Sequence, residues 1–468
     1  MEKYRMATLF SGAGGLDMGF EMSGRFNMLF ANDVLPKPAE SYSNNFRHKI
    51  VDAKKFTKES LPAYVKGDIT DINFAPLGKL DCLVGGPPCQ DFSVTRGGNG
   101  PSQKKSKRRG IRVKRGRLYQ QYVRAIKKTQ PKVFAFENVP GLVSANNGMA
   151  YKVIQEDFAG EGSLRYDLIF NKVVSATDIG VPQSRRRLVI MGVRSDIMPK
   201  PWPRDYELMQ RVRNVLTGDG SLLRKYPICA MEALEGKTVP ELAGRYRKVM
   251  KQYEGVDKEV HKTRLHPKKW RKNVWDKLTF NAVDDYLLAN KIAKINNAEV
   301  KAAFREHKKI LKDLGYYGRD VHDREFEDGS NKIPSEAKSV TGRMEHTPPG
   351  ENYIFVDGTK WEVRGTMSNI YRRTDPLRPA FTVMAYGGGG TWSYHYDRDR
   401  SMLTNRERAR LQTFPDDYMF VGDRSQVRAQ IGEAVPVQLG RKIAEVAMMV
   451  LETQISKDLK LQSSITVH

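Results

Sequence analysis

The chain holds only three cysteines among its 468 residues. Cys82, Cys89 and Cys229 are odd in number, lie far apart and form no C-x-x-C pair, so neither a disulfide framework nor a thiolate zinc site is encoded. Reactivity or burial must account for each thiol. Long apolar runs are also missing. No window approaches the roughly 18 apolar residues of a membrane span, and the opening MEKYRMATLF has no stretch suited to a signal peptide. The expectation is a cytoplasmic protein with no membrane partner. Acidic residues are the third shortage: 54 Asp and Glu face 79 Lys and Arg, for a formal net charge of +25. Such a field attracts polyanions, of which nucleic acid is the commonest. A well-solvated basic surface is the bland alternative. Charged residues at 28% and hydrophobic ones at 40% describe a globular chain, with room for about two or three domains.

Two textures divide the sequence. From Met6 to Arg194 short apolar runs alternate with amphipathic stretches: MATLF, LDMGFEMSG, FNMLFAND, PAESYSNNF, DCLVGG, LYQQYVRAIKK, VFAFENV, LVIMGV. Strand and helix in that rhythm predict an α/β fold with a doubly wound parallel sheet. Residues 195–375 change to lysine-rich helical segments such as NAVDDYLLANKIAKI and AAFREHKKILKDLG. The first texture returns over 376–455 and ends in the amphipathic VQLGRKIAEVAMMVLE. Residues 456–468 read as a frayed tail.

Several strand ends carry residues suited to chemistry. The first runs into FSGAGGLDMGF, where glycines present backbone N–H groups to a nucleotide-like ligand. The dinucleotide fingerprint is absent, because Asp17 stands where its third glycine belongs. Asp33 ends the second strand, placed to accept from ribose hydroxyls, and Asp68 in KGDIT could receive an exocyclic amine. An adenosine-containing ligand without phosphates suits all three features. In LVGGPPCQDFS two glycines and two prolines hold Cys89 at a strand end, where open parallel sheets bind ligands. A structural cysteine would sit inside the strand, as Cys82 does. Glu137 leaves the apolar strand of FAFENVPGL, where desolvation would raise its pKa and make it a proton donor; a helix cap or surface acid is the alternative. In VPQSRRRLVIMG, Arg185 and Arg187 alternate and so point one way, able to hold a carbonyl oxygen or a phosphate.

These segments, with RPAFTV and IGEAVPVQLG, resemble the DNA cytosine-5 methyltransferase family in its usual, unpermuted order, over about Arg5 to Arg194 and Leu377 to Glu452. The resemblance implies a Rossmann-like methyltransferase sheet that uses S-adenosyl-L-methionine, with a smaller target-recognition domain in the 195–375 slot. It implies double-stranded DNA as substrate and a cytosine flipped out of the duplex. Cys89 matches the nucleophile that attacks carbon 6, and Glu137 the acid that protonates ring nitrogen 3. Arg187 matches the contact to the cytosine carbonyl oxygen, with Arg185 beside it. Thiolate is the strongest nucleophile a protein carries, and cytosine carbon 5 needs such an addition before it can take a methyl group.

For the methyl donor the resemblance assigns Phe10 to the adenine face, Gly12, Gly14 and Leu16 to the turn, Asp33 to the ribose and Asp68 to the adenine amine. Pro88, Leu118 and Val435 line the same pocket. Glu433 departs from the pattern, since the family places an asparagine there, and an ionised glutamate accepts but cannot donate. Between Cys89 and Leu118, KKSKRRGIRVKRGR has nine basic residues in fourteen and no acid; in this family the segment closes over the flipped base. The first motif begins within about ten residues of Met1, which favours a stand-alone microbial, archaeal or phage enzyme acting as a monomer, with a cognate restriction enzyme as a possible partner. One rival is an RNA methyltransferase of the same fold, whose Cys-Phe-Thr signature is not matched by Ile228-Cys229-Ala230. The other is a DNA-binding repressor without catalysis, which would have no need of Cys89, Glu137 and Arg187 together.

Overall fold

The computed structural model describes residues 3–88, 118–161, 163–197, 206–256, 259–260, 298–363, 370–387 and 390–465, the last helix by its backbone alone beyond residue 453. Cys89 and the basic segment 104–117 lie outside the described residues. The chain forms two compact units. Unit 1 comprises Met1–Ile179, Arg186–Gly220 and Ala434–His468, and unit 2 comprises Gly180–Arg185 and Ser221–Glu433. The return to unit 1 comes at Ala434, whereas the change of texture in the sequence falls near 376.

Unit 1 is built on a sheet with nine strands among the described residues, in the order β3-β4-β2-β1-β5-β6-β10-β8-β7. These are β1 (Tyr4–Leu9), β2 (Phe26–Asp33), β3 (Lys49–Asp52), β4 (Ala63–Lys66), β5 (Cys82–Gly85), β6 (Val133–Asn138), β7 (Gly160–Glu161), β8 (Leu164–Ser175) and β10 (Arg186–Arg194). The first six in spatial order pair in parallel. β10 then runs antiparallel to both β6 and β8. Helices α1 (Gly15–Glu21), α2 (Pro36–Phe46) and α3 (Leu118–Thr129) follow β1, β2 and β5, as the rhythm of the sequence led us to expect.

The central strands β5, β6 and β10 read as near-continuous apolar runs because both faces of the sheet are covered there. Alternate residues go to opposite cores. Met6, Cys82, Val84, Val133 and Ala135 join one cluster with Leu439, Ile443 and Val450. Ala7, Leu83, Phe134 and Phe136 join the other with Tyr122 and Ile126. Cys82 is thus a core residue, and burial pushes its thiol up, away from reactivity. Helix α4 (Met149–Ala159) packs on the second face, and α5 (Tyr206–Thr217) joins the first.

The closing helix, α12 (Val437–Ile465), covers α1. A Cβ at Gly19 would lie 2.4 Å from the Gly440 carbonyl carbon, and one at Gly440 would lie 2.4 Å from the Leu16 carbonyl oxygen. The two helices therefore meet backbone to backbone, which fixes Leu16 and the turn before it. α12 extends to Ile465, into the stretch expected to fray, since neither Gly nor Pro follows Gly440 to stop it.

Unit 2 contains, among the described residues, α6 (Ala230–Glu235), α7 (Val239–Lys251), α8 (Ala298–Asp313), α9 (Lys338–Glu345), α10 (Asn405–Leu411) and α11 (Arg424–Glu433). Its short strands β9 (Gln183–Ser184) and β11 (Ala380–Phe381) pair in parallel. NAVDDYLLANKIAKI lies outside the described residues.

Candidate active site

The Gly-rich turn at the end of β1 is fastened to the end of β2. Ser11 N–H donates to the Asn32 carbonyl at 2.9 Å, and Gly12 N–H donates to Asp33 Oδ2 at 3.0 Å. Phe10 adopts a left-handed φ of 56°, and Gly14 takes φ 80° as the cap of α1. Gly14 has a steric reason to be glycine as well, because a Cβ there would come within 2.7–2.9 Å of the Phe46 and Tyr42 rings. At Gly12 the space is open: a Cβ would meet no atom within 4 Å. The turn is held firmly beside open space.

Asp33 does more than wait for a hydroxyl. Besides Gly12 it accepts from the N–H groups of Val34 and Leu35, at 2.7 and 3.2 Å. Burial pushes its carboxyl up while these three donors pull it down. A carboxylate has about four acceptor positions, so capacity for a ligand remains. Asp68 is exposed and caps a short turn, accepting from Thr70 N–H at 2.9 Å and from its hydroxyl at 2.8 Å. Leu16 is buried, Leu118 and Val435 are half-buried, and Pro88 is exposed. Glu433 is the exposed last residue of α11 and belongs to unit 2.

A second group of residues gathers where β5 and β6 end and β10 begins. Glu137 and Asn138 close β6, both buried. Asn138 Nδ2 donates to the Pro87 carbonyl at 3.1 Å, tying β6 to the stiff segment that leads into Cys89. Gly86 packs so tightly here that a Cβ would stand 2.6 Å from Glu137 Oε2. From β10, Arg187 Nε meets Glu137 Oε1 at 2.8 Å, both side chains at most 15% exposed. Burial lowers the Arg187 pKa and the Glu137 charge works against that. The guanidinium in turn favours the ionised carboxylate, opposing the desolvation expected from the sequence.

Arg185 parts from Arg187. β10 begins at Arg186, so the alternation of a strand does not reach Arg185. Its side chain is 2% exposed and donates to the carbonyls of Val383 and Gly432, at 3.3 and 3.0 Å, within unit 2. Gln183 braces the same region, donating to Leu411 O at 2.7 Å and accepting from Val383 N–H at 3.0 Å.

Sequence reasoning missed the arginines of TNRERARLQTFPDD. Arg406 is buried against Asp328 at 2.6 Å, and Arg410 against Asp416 at 2.6 Å. The signal was present in Thr404 and Glu407, which form a capping box at the start of α10. Nearby, His322, His395 and Glu407 are close enough to share a metal ion. Yet His395 Nδ1 accepts from Asp397 N–H at 2.9 Å, and burial holds this imidazole well below its usual pKa. The neutral ring then carries its proton on Nε2 and has no lone pair to offer a metal there.

A Gly-rich turn at the end of β1, and an acid and an arginine at strand ends of a mostly parallel sheet, define an α/β enzyme of the S-adenosylmethionine-dependent methyltransferase fold. A prophage-encoded DNA modification methyltransferase from E. coli shares it, with a TM-score of 0.54 at 20% identity over 96% of this chain and 100% of that one. The family model for C-5 cytosine-specific DNA methylase matches residues 4–448. The chain belongs to that family and is a DNA cytosine-5 methyltransferase. It is 46% identical over 97% of its length to the DNA (cytosine-5-)-methyltransferase M.ApeKI of Aeropyrum pernix, all of which is covered. It is 31% identical over 96% of its length to the type II methyltransferase M.NgoFVII of Neisseria gonorrhoeae, 87% of which is covered.

Proposed function

We propose that the chain moves the methyl group of S-adenosyl-L-methionine to carbon 5 of a cytosine flipped out of a specific double-stranded DNA sequence, with Cys89 as covalent nucleophile. The observation that carries this reading is the junction of Gly86, Glu137, Asn138 and Arg187. It clamps the segment entering Cys89 to an acid and a guanidinium.

The methyl donor supplies an electrophilic carbon. The residues that fit it are Phe10, Gly12, Gly14, Leu16, Asp33 and Asp68, with Pro88, Leu118 and Val435 as further contacts. The Cys89 thiolate forms a bond to carbon 6 of the base, and the electron pair moves toward carbon 5 and the ring. Glu137 holds the proton at ring nitrogen 3, which neutralises that charge, and Arg187 takes the carbonyl oxygen. Once carbon 5 has gained methyl, with S-adenosyl-L-homocysteine as the leaving group, its proton passes to water, the sulfur leaves as thiolate and the double bond returns. Arg185 acts through the segments it ties together and is a positioning residue. The basic segment 104–117 grips the DNA while the base is out of the stack, a state that costs a few kcal/mol.

Duplex DNA carrying 5-fluorocytosine tests the route. Fluorine cannot leave as a proton does, so the adduct persists, and denaturing gels should show DNA attached to the wild-type protein and to no Cys89→Ala protein. Free DNA with both proteins, alongside methylation of ordinary cytosine, would remove the covalent step. We further propose that the enzyme acts as a monomer in the cytoplasm and protects DNA from a restriction enzyme of the same specificity. Resistance of a methylated plasmid to that endonuclease is the corresponding check.

A further inference from the structure

Unit 2 gathers three arginines that, among the described residues, have no acid within ion-pair distance. Arg408 of α10 is 4% exposed, and its Nε donates to the Leu403 carbonyl at 3.2 Å. Its guanidinium carbon lies 5.2 Å from the centre of the Trp392 ring. Arg428 of α11 stands at the same ring, 3.8 Å from its centre. Arg424, one helical turn before Arg428, is exposed. Among the described residues no carboxylate lies within 4 Å of any of these three guanidinium groups.

Three acids act on the group from beyond 4 Å: Glu336, whose Oε1 is buried without a hydrogen-bond partner, is near enough to feel the Arg424 charge, while Glu407 and Asp423 are engaged elsewhere. Glu407 accepts from Arg400 at 3.1 Å and from Thr404 N–H at 2.8 Å. Asp423 caps α11 by accepting from Ser425 and Gln426 N–H, at 2.7 and 2.9 Å. Arg428 keeps a buried Nε without a hydrogen-bond partner, and its Nη2 has Ser425 Oγ at 3.5 Å. Burial pushes Arg408 down to about 9, the charges of Arg428 and Arg424 adding to the effect and Glu407 opposing it. Burial and then Arg424 lower Arg428 as well. An arginine keeps its proton at working pH, so these displacements record first the burial of a charge and second the like charges held beside it. Arg424 and Arg428 also repel as an i, i+4 pair on one helix face. A purely structural platform beneath Trp392 would not need three cations.

We propose that Arg424 and Arg428, with Arg408 behind them and Trp392 as the platform, form a contact site for a phosphate of the DNA backbone. The inference rests on the reading of the chain as a DNA methyltransferase. The planar guanidinium fork matches two phosphate oxygens, and stacking on the indole orients it in advance. The phosphate supplies the negative charge that the protein withholds. Such a contact grips DNA of any sequence and places the neighbouring groove without reading it.

The test is the salt dependence of binding to a fluorescein-labelled duplex of mixed sequence, for wild type, Arg424→Gln and Arg428→Gln. Each substitution should reduce the log-log slope by nearly one and weaken binding roughly fivefold to tenfold near 0.1 M salt. The melting temperature of Arg428→Gln should hold or rise, because repulsion is relieved; a structural brace would lower it. Unchanged slopes in both variants, with wild type still binding and methylating DNA, would overturn the phosphate site and leave the family reading intact. A wild-type protein with no affinity for duplex would overturn both.

Discussion

Asp17 is fully buried at the start of α1, with Thr8 and Tyr42 as polar neighbours. Burial raises its pKa from 3.8 to about 7, against the pull of the two hydroxyls. The folded protein therefore holds this proton more tightly than the unfolded chain does. Its stabilising contribution is complete below about pH 4 and is lost as pH rises through about 7. Three units at about 1.4 kcal/mol each make roughly 4 kcal/mol between the extremes. Asp17→Asn, uncharged at every pH, should escape the loss. Thermal melts of both proteins from pH 5 to 8.5 should show the variant more stable at pH 8, with the gap closing toward pH 5. A variant less stable than wild type at pH 8, or a gap independent of pH, would refute the reasoning.

Other substitutions probe the site and its supports. Gly86→Ala forces a methyl group to within 2.6 Å of Glu137 Oε2, so turnover should fall at least tenfold while the melting temperature moves little; single-turnover methylation measures it. Asp416→Asn leaves Arg410 buried without its partner, a loss of about 3–5 kcal/mol that should lower the unfolding midpoint in urea. Neutralising the basic residues of Lys104 to Arg117 should weaken duplex binding and flatten its salt slope by nearly one for each phosphate the segment no longer neutralises; an unchanged slope would mean a solvated segment.

The central parallel strands β5 and β6 were legible because strands buried on both faces must be apolar throughout, as LVGG and VFAF are; the short β3 and β4 carry no such run. β8 escaped notice because its exposed or half-exposed positions, Arg165, Asp167 and Lys172, interrupt the apolar run. Glu137 could be read as a site candidate from a carboxylate ending an apolar strand. Its ion pair with Arg187 depends on β10 running back beside β6, which no local pattern announces. Arg185 shows the limit in the other direction: its spacing from Arg187 suggested a shared role, and only tertiary structure gives its guanidinium two carbonyls to hold. Three arginines in TNRERARLQ suit a solvated helix face by composition. Their burial depends on Asp328, Asp416 and Trp392, which come from distant segments or follow an irregular turn.

The covalent route is tested most directly by base-resolution conversion sequencing of mixed-sequence DNA treated with S-adenosyl-L-methionine and either wild-type or Cys89→Ala protein. Carbon 5 methylation at one recurring short motif with wild type, and none with the variant, is the expected result. Methylation at the same motif and comparable rate by Cys89→Ala would contradict it.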